Sequence, residues 1–576
     1  TVFDRTVERQ GLNDVKDQMM NPLKHLTFGG RIYGDNLVAG KTYTGIYTDT
    51  DFKGWSLKSR KPAQEHQIRL ALATLQCENP ADWETMLNKT ISKVQTDKKA
   101  KQKTRQWWNS YWKRSYVFID SGKIGSDYWK VGRNYQLFRY MLGCNAYGSE
   151  PTKFNGGLFT FDPVHIDSTR VFTPDFRLWG GGTMTAQNQR LVYFPMLKSG
   201  DFDMMKPQFD FYERMLDNAK LRTKVYWNHE GACFSEQIEN FGLPNLAEYD
   251  WKPRHEGFPV GVDSNPWLEY TWDTALEFAL MMFDAHLYNN EPIVPHLPFI
   301  ESLLTFFDEH YSYLALRRGT NKLDGDGHLV LYPGSACETY KMATNATSTV
   351  AALKVITEKL LELPELDATQ REHWSGFLKR IPPISHREVQ GKKTISPAKM
   401  WERINNSEVP SLYPVYPWRI YGIGQPELQT AINTYLYDPE AIEFRSHIGW
   451  KQDNIFAACL GLTEEAERLT LLKLSDGPHR FPAFWGPGFD WTPDHNWGGS
   501  GMIGLQEMLL QTNGDSILLF PAWPENRDVH FKLHAPKQTT VEVTLRNNKI
   551  EFMQVEPKTR EKDIVICSSH FYLRRD

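Results

Sequence analysis

The sequence is poor in cysteine, in net charge and in long apolar runs. Its six cysteines, Cys77, Cys144, Cys233, Cys337, Cys459 and Cys567, are scattered over 576 residues. None forms a C-x-x-C pair or has a histidine partner at zinc spacing, which argues against a disulfide scaffold and a zinc module and leaves the thiols as structural, mostly buried groups. Sixty-six basic against 70 acidic side chains leave a formal charge of −4, without the dominant basic surface that binding a phosphate backbone needs, so no nucleic-acid partner is expected. No stretch approaches the about 20 apolar residues that cross a bilayer, so no membrane span is expected. Also missing are the G-x-x-x-x-G-K-[ST], H-E-x-x-H, G-x-S-x-G and EF-hand patterns, and with them any reason to expect a cofactor or metal. The one G-x-G-x-x-G, at residues 499–504, follows an aromatic loop outside any βαβ pattern and reads as helix packing. The Asp324-Gly325-Asp326-Gly327 tract reads as a turn rather than a calcium cage.

Aromatic residues are abundant: 19 Trp, 25 Tyr and 32 Phe make 13% of the chain. Such rings fill cores, and they also stack on sugar rings. Residues 1–62 are rich in glycine and threonine and alternate with period two, like the end of an N-terminal β-sandwich. Residues 63–118 read as a helical linker with a lysine-rich solvated face, followed by Trp107, Trp108 and Trp112. Residues 119–513 hold about a dozen helix-period segments, among them 127–143, 185–199, 234–241, 265–289, 346–363 and 500–511. Gly-, Pro- and aromatic-rich loops separate them, and long ordered loops on a helical scaffold usually carry function. Residues 514–576 return to period two, with Asn547-Asn548 as a hairpin turn. The expected fold is mainly α: an (α/α)6 toroid with flanking β segments and a small C-terminal β domain.

The polar loops carry the candidate chemistry. Cleaving a glycosidic bond takes one protonated carboxyl to donate to the leaving oxygen and a second group to activate water or attack. Glu338 precedes a helix in Tyr332-Pro333-Gly334-Ser335-Ala336-Cys337-Glu338-Thr339, and Asp494 lies in Trp491-Thr492-Pro493-Asp494-His495-Asn496-Trp497. Glu230 and Glu236 flank the aromatic turn Trp227-Asn228-His229-Glu230-Gly231-Ala232-Cys233-Phe234-Ser235-Glu236. Each has a plain structural alternative, as a helix-terminal carboxylate or a loop hydrogen-bonder.

The order of motifs resembles glycoside hydrolase family 95, the inverting α-L-fucosidases and α-L-galactosidases of the six-hairpin glycosidase superfamily. Ala186-Gln187-Asn188-Gln189-Arg190-Leu191-Val192-Tyr193-Phe194-Pro195 looks like that family's N-x-N-x-x-x-N-Y-W-P segment, and Tyr332-Pro333-Gly334-Ser335-Ala336-Cys337-Glu338 like its P-S-x-S-P-E loop. Phe489-Asp490-Trp491-Thr492-Pro493-Asp494-His495-Asn496-Trp497-Gly498-Gly499 is similar to F-Q-I-D-G-N-F-G-G. The stretch from Leu509-Leu510-Gln511-Thr512 to Leu519-Phe520-Pro521-Ala522-Trp523-Pro524 resembles L-L-Q-S-H-x-G-x-I-x-L-L-P-A-L-P and is the most specific match. The motifs span roughly residues 100–545 in order.

The resemblance implies Glu338 as general acid, Asp494 as acceptor of the attacking water's proton and Asn188 as a holder of that water. The family's first water-holding Asn falls on Ala186. Beside these, His229, Glu230, Glu236, Trp227, Trp491, Trp497 and His495 are the expected sugar-contacting residues, with Trp179, Trp267 and Trp485 as further stacking platforms. The expected substrate is an oligosaccharide or polysaccharide, a plant or host glycan that loses a terminal sugar. Its nature, together with a chain that starts at Thr1 without a signal pattern, points to an extracytoplasmic location. Two alternatives stay open. A toroid polysaccharide lyase would use Tyr340, His328 or His495 as base, and a non-catalytic glycan-binding descendant would explain Ala186.

Overall fold

The structure is a computed structural model whose described residues are all but 146, 154–161, 170, 175, 177, 180–182, 253 and 568–576, with the side chains of 95 and 96 also set aside. The chain opens with a helix, Val2–Arg9, closed by a Thr1–Asp4 capping box. Strands β1 (Leu26–Tyr33), β2 (Leu37–Tyr47), β3 (Thr50–Ser59) and β4 (Arg69–Gln76) follow as two antiparallel pairs, β1 with β4 and β2 with β3. Strand β4 lies in the stretch expected to be a helical linker and carries the β region on to Gln76; its alternating Leu70, Leu72 and Thr74 fit a strand.

Helix α1 (Pro80–Thr96) starts with Asn79 as N-cap and Pro80 in the first turn, and its Trp83 Nε1 donates to the Ala73 carbonyl on β4 at 3.0 Å. Helix α2 (Ala100–Arg114) carries the tryptophan cluster. Trp107 stacks on Tyr111, which is fully buried and donates its hydroxyl to the Arg139 carbonyl at 2.6 Å. The aromatic end of this helix therefore docks it onto the main body, while its lysines stay in solvent.

Strand β5 (Tyr116–Ile119) and helix α3 (Asp127–Asn145) lead into the helical body. Its centre is built from α4 (Ala186–Ser199), α5 (Ala275–Asn289), α6 (Leu297–Arg317), β6 (Gly334–Ala336), β7 (Tyr340–Ala343), α7 (Thr347–Glu362), β8 (Arg403–Ile404), α8 (Asp453–Cys459), α9 (Thr463–Lys473) and α10 (His495–Leu509). Every residue of α4 is buried, as is nearly all of α10, the signature of helices surrounded on all sides. Helix α4 packs between α5 and α10, α5 continues to α7, and α10 to α8. The glycine run at the start of α10 makes this approach possible. A Cβ at Gly499 would overlap the Leu191 carbonyl, and one at Gly498 the Phe138 ring. The G-x-G-x-x-G of the sequence is thus a packing device.

Residues 234–241, expected to be helical, are extended: Gln237–Ile238 pairs with Met184–Thr185. Gly231 and Gly242, at φ 94° and 80°, turn the chain at either side, and the stretch between is buried around both faces, so its apolar spacing reports burial rather than a helix stripe. Residues 265–274 precede α5 as loop.

After α10, β9 (Leu510–Asn513) and β10 (Ser516–Leu519) form a hairpin. The strands β11 (Val529–Ala535), β12 (Thr539–Arg546) and β13 (Lys549–Glu556) form an antiparallel sheet, and β14 (Ile564–Ile566) runs parallel to β10. Val529, Phe531, Leu533 and Ala535 alternate inward, as do Val541, Val543 and Leu545 opposite them. Asn547 and Asn548, at φ 48° and 59°, make the two-residue turn between β12 and β13. Strand β5 adds to the edge of this sheet beside β11, so residues before the helical body and residues after it share one layer.

Candidate functional site

Two cavities lie at opposite ends of the central helices. One, of about 510 Å³, opens among Leu197, Lys198, Tyr288, Glu358 and Glu507 near the C-terminal ends of α4, α5, α7 and α10. Its buried Glu507 is met by Lys198 and Arg419, each at 2.6 Å, a structural charge network. The other, a cleft of about 410 Å³, lies at the N-terminal end of α4, and here the carboxylates and aromatics converge.

Helix α4 starts without a side-chain N-cap of its own. Glu236, from the extended segment that pairs with 184–185, takes that role: its carbonyl accepts from Ala186 N at 3.0 Å and its Oε1 from Gln187 N at 2.8 Å. Glu236 is thus buried beneath the cleft. Burial, and then the negative charges of Glu338 and Glu408, hold its carboxyl well above the usual range.

One residue into the helix, Gln187 and Asn188 reach the cleft wall. Asn188 Nδ2 donates to Asp490 Oδ2 at 3.2 Å, and Asn496 Nδ2 donates to the same oxygen at 3.0 Å. Two amides from two buried helices therefore orient the Asp490 carboxylate, which lines the cleft.

Asp494, the residue expected to activate water, lies elsewhere. It is 1% exposed, caps α10 by accepting from Asn496 N at 3.0 Å and Trp497 N at 3.2 Å, and does not line the cleft. Burial pushes its carboxyl up to about 6, partly offset by those backbone N–H groups and by Lys473. The next residue, His495, is fully buried with neither ring nitrogen partnered among the described residues, and desolvation drops its imidazole to about 3. An aspartate at a helix start with N–H groups two and three residues on is a capping position, and that rule, applied to the sequence, separates Asp494 from Asp490.

Glu338 sits at the tip of the β6–β7 hairpin, on the cleft wall, half-buried. Its Oε2 accepts from Asn406 Nδ2 at 2.7 Å. Burial raises its carboxyl to about 8, reinforced by the negative charge of Glu408 and offset by Lys341 and the Asn406 hydrogen bond. Such a group is protonated at neutral pH, as a proton donor must be.

Aromatics surround this pair: Trp179, Trp251, Trp267, Trp450 and Phe489. Trp179 is 52% exposed and donates its Nε1 to the Phe489 carbonyl at 3.0 Å, and Trp267 is 40% exposed. Both present ring area of the kind that apolar sugar faces cover. Glu248 and Asn265, hydrogen-bonded to one another, and Gln237 add polar edges. The Gln187 Nε2 is buried without a partner among the described residues.

The other expected contact residues lie away from the cleft. Trp227 is in the core, stacked on His229 and edge-on to His310. His229 shares a 2.9 Å hydrogen bond with His310, and burial lowers its imidazole. Glu230 is on the surface, paired with Lys224 at 2.9 Å. Trp491 packs edge-on to Phe172 and Phe176, Trp497 donates to the Lys473 carbonyl at 2.8 Å, and Trp485 is 2% exposed. Asp324 Oδ1 accepts from the backbone of Asp326 and His328, closing the turn expected there.

The N-terminal residues 1–117 match a family model described as Domain of unknown function (DUF5703). No curated protein matches the sequence. Among solved structures, a "Putative kojibiose phosphorylase from human microbiome" superposes with a TM-score of 0.62 at 12% identity, over 93% of this chain and 70% of that one. Two glycosidase variants, one of them in complex with glucose, reach 0.37 and 0.41 over 66% of this chain and 97% of theirs, at 12% and 11% identity. The first likeness shows a shared fold, mainly helical with small sheets.

Proposed function

We propose that the protein is a glycoside hydrolase that removes a terminal, uncharged sugar by single-displacement inversion, with Glu338 as general acid and Asp490 as the carboxylate that activates water. The observation that carries this is the pairing of two carboxylates in one aromatic cleft, each in a different environment. Glu338 is desolvated and held protonated, while Asp490 is oriented by two amide donors and suited to accept a proton. Asn188, implied by the family resemblance as a water holder, acts in this reading through its bond to Asp490, and the Asn missing at Ala186 is not required. The helices that pack in sequence around the cleft are read as the inner ring of an (α/α)6 toroid. The sugar is proposed to be fucose- or galactose-like, on the strength of the family resemblance, and the location extracytoplasmic, where such glycans occur.

Charge favours water over phosphate as the acceptor. The described lining residues include Glu248, Glu338 and Asp490 and no Lys, Arg or His, so no described cation of the wall would neutralise an incoming phosphate or a uronate. The same point disfavours a lyase, which needs a neutraliser at the uronate. Its expected bases also lie off the cleft: Tyr340 and His495 are buried, and His328 is in the surface turn.

The test is a screen of nitrophenyl glycosides and oligosaccharides, α-L-fucosides and α-L-galactosides first, with and without inorganic phosphate, following the product anomer by NMR. The expected result is free sugar of inverted configuration at a rate indifferent to phosphate. A sugar phosphate, an unsaturated uronate, a retained anomer, or binding without turnover would each overturn the proposal.

A further inference from the structure

The base of the hairpin that presents Glu338 is tied to the Glu269 carbonyl by Ser335 Oγ at 2.6 Å and Lys341 Nζ at 3.1 Å, and its tip is held from behind by a short segment. Cys337, just before it, adopts φ 52°, a left-handed conformation in a residue with a β-carbon, which persists only where surrounding contacts over-determine it. At the tip, these contacts come from residues 405–408. Asn405 N donates to the Thr339 carbonyl at 2.8 Å, Asn406 Nδ2 to the Glu338 carboxylate, and Glu408 N to Thr339 Oγ1 at 2.9 Å. In return, Glu338 N donates to Glu408 Oε2 at 3.3 Å.

The other Glu408 oxygen faces the helical core. Oε1 accepts from Tyr413 OH at 2.7 Å and from Arg190 Nη2 at 3.4 Å, and Arg190 Nη2 also donates to Tyr413 OH at 2.7 Å. Arg190 is anchored in turn by Glu277 of α5 and by its own helix, where Nε donates to the Gln187 carbonyl at 2.9 Å. Arg190 stands two residues after Asn188, which holds Asp490. A single buried helix, α4, therefore reaches one carboxylate of the cleft through Asn188 and the loop of the other through Arg190 and Glu408.

We propose that Glu408 is a positioning residue: its carboxylate locks the Glu338 loop to Arg190 of α4 and so sets the placement of the proton donor relative to Asp490. The inference rests on the reading of Glu338 as acid. An inverting reaction needs its two carboxyl groups held apart by a defined span with room for water, and the Glu408 side chain bonds both the Glu338 loop and Arg190 of α4. Charged and titratable groups around it are Arg190, Glu277, Tyr413 and Cys337 on the core side, Glu338 and Glu236 on the cleft side, and Lys451, whose Nζ donates to Ser407 Oγ at 2.9 Å.

The test is Glu408→Gln, which keeps shape and removes charge. Nitrophenyl and dinitrophenyl glycosides serve as substrates, and an infrared difference titration of carboxyl groups gives a readout independent of turnover. The expected result is a native thermal midpoint, little change in KM, and kcat on the poorer leaving group reduced by roughly 10- to 100-fold. The Glu338 titration, identified as the band lost in Glu338→Gln, should move to lower pH by about one unit as a like charge is removed. Tyr413→Phe, which removes only the hydroxyl bridging Arg190 and Glu408, is expected to lower kcat several-fold with KM kept, and it carries the test should Glu408→Gln not fold. Wild-type kcat with an unmoved carboxyl band in the folded variant overturns the inference. Should Glu338→Gln itself keep full activity on the poor leaving group, the acid assignment fails first, so the two failures are told apart.

Discussion

If burial is what makes Glu338 an acid, the size of the effect can be worked from its surroundings. Desolvation and the neighbouring Glu408 charge move the carboxyl from 4.5 to about 8. At pH 7 a group at 8 is ~90% protonated, whereas the same group in open solvent would be ~0.3% protonated, so the site supplies a roughly 300-fold gain in the reactive form. Two consequences can be measured. In the wild type, kcat/KM on a nitrophenyl glycoside should hold level through neutrality and fall as pH rises through about 8, because the proton to be donated is lost there. Glu338→Gln should lose on the order of 10²- to 10⁴-fold on that substrate and abolish the alkaline limb. On a dinitrophenyl glycoside, whose leaving group departs without a proton, it should lose far less. A limb near pH 8 that survives in Glu338→Gln, or equal losses on both leaving groups, would refute the reasoning.

Other outcomes follow from particular contacts. Asp490→Asn, which keeps the Asn188 and Asn496 neighbours, should cut hydrolysis by at least ~10³-fold while substrate still binds, measured by calorimetry beside turnover; Asp494→Asn should act mainly on thermal stability through the α10 cap. Trp267→Ala should raise KM about 5- to 10-fold with kcat little changed, by loss of a stacking face worth ~1 kcal/mol. Arg139→Met leaves Asp201, 1% exposed, with Arg114 at 3.3 Å as its remaining cation and should cost about 3–5 kcal/mol; adding Asp201→Leu should recover much of the lost thermal midpoint. Gly499→Ala should destabilise by at least ~1–3 kcal/mol, because the new methyl group meets the Leu191 backbone.

Much of the secondary structure was legible because local rules governed it. The helices at Asp127–Asn145, Ala186–Ser199 and Thr347–Glu362, the C-terminal strands and the Asn547-Asn548 turn all follow from periodicity and turn chemistry. The helix expected at 234–241 failed because periodicity cannot distinguish a segment buried on every side from an amphipathic face. Strand Arg69–Gln76 was hidden because its partner, Leu26–Tyr33, lies some forty residues away. Tryptophan abundance pointed to sugar stacking, yet most of the rings near the singled-out carboxylates are core. Trp179 and Trp267 reach the cleft, while Trp227, Trp485 and Trp491 fill the interior.

The sequence by itself determined the mainly helical class, the terminal β regions, the exclusion of nucleotide and zinc motifs, and Glu338 as a carboxylate on a loop. Each depends on residues close together in the chain or on composition. Tertiary structure decided which aspartate faces the cleft. Local capping chemistry marks Asp494 as spent on the helix that begins beside it, but Asp490 is held at the cleft by amides from two helices, one of them from Asn188, 302 residues away in the chain. It also decided the place of Glu408, which backs the Glu338 hairpin only because the 405–408 segment packs on that hairpin while its carboxylate meets Arg190 of α4. Contacts of that range depend on how buried helices pack, and no local pattern in the chain encodes them.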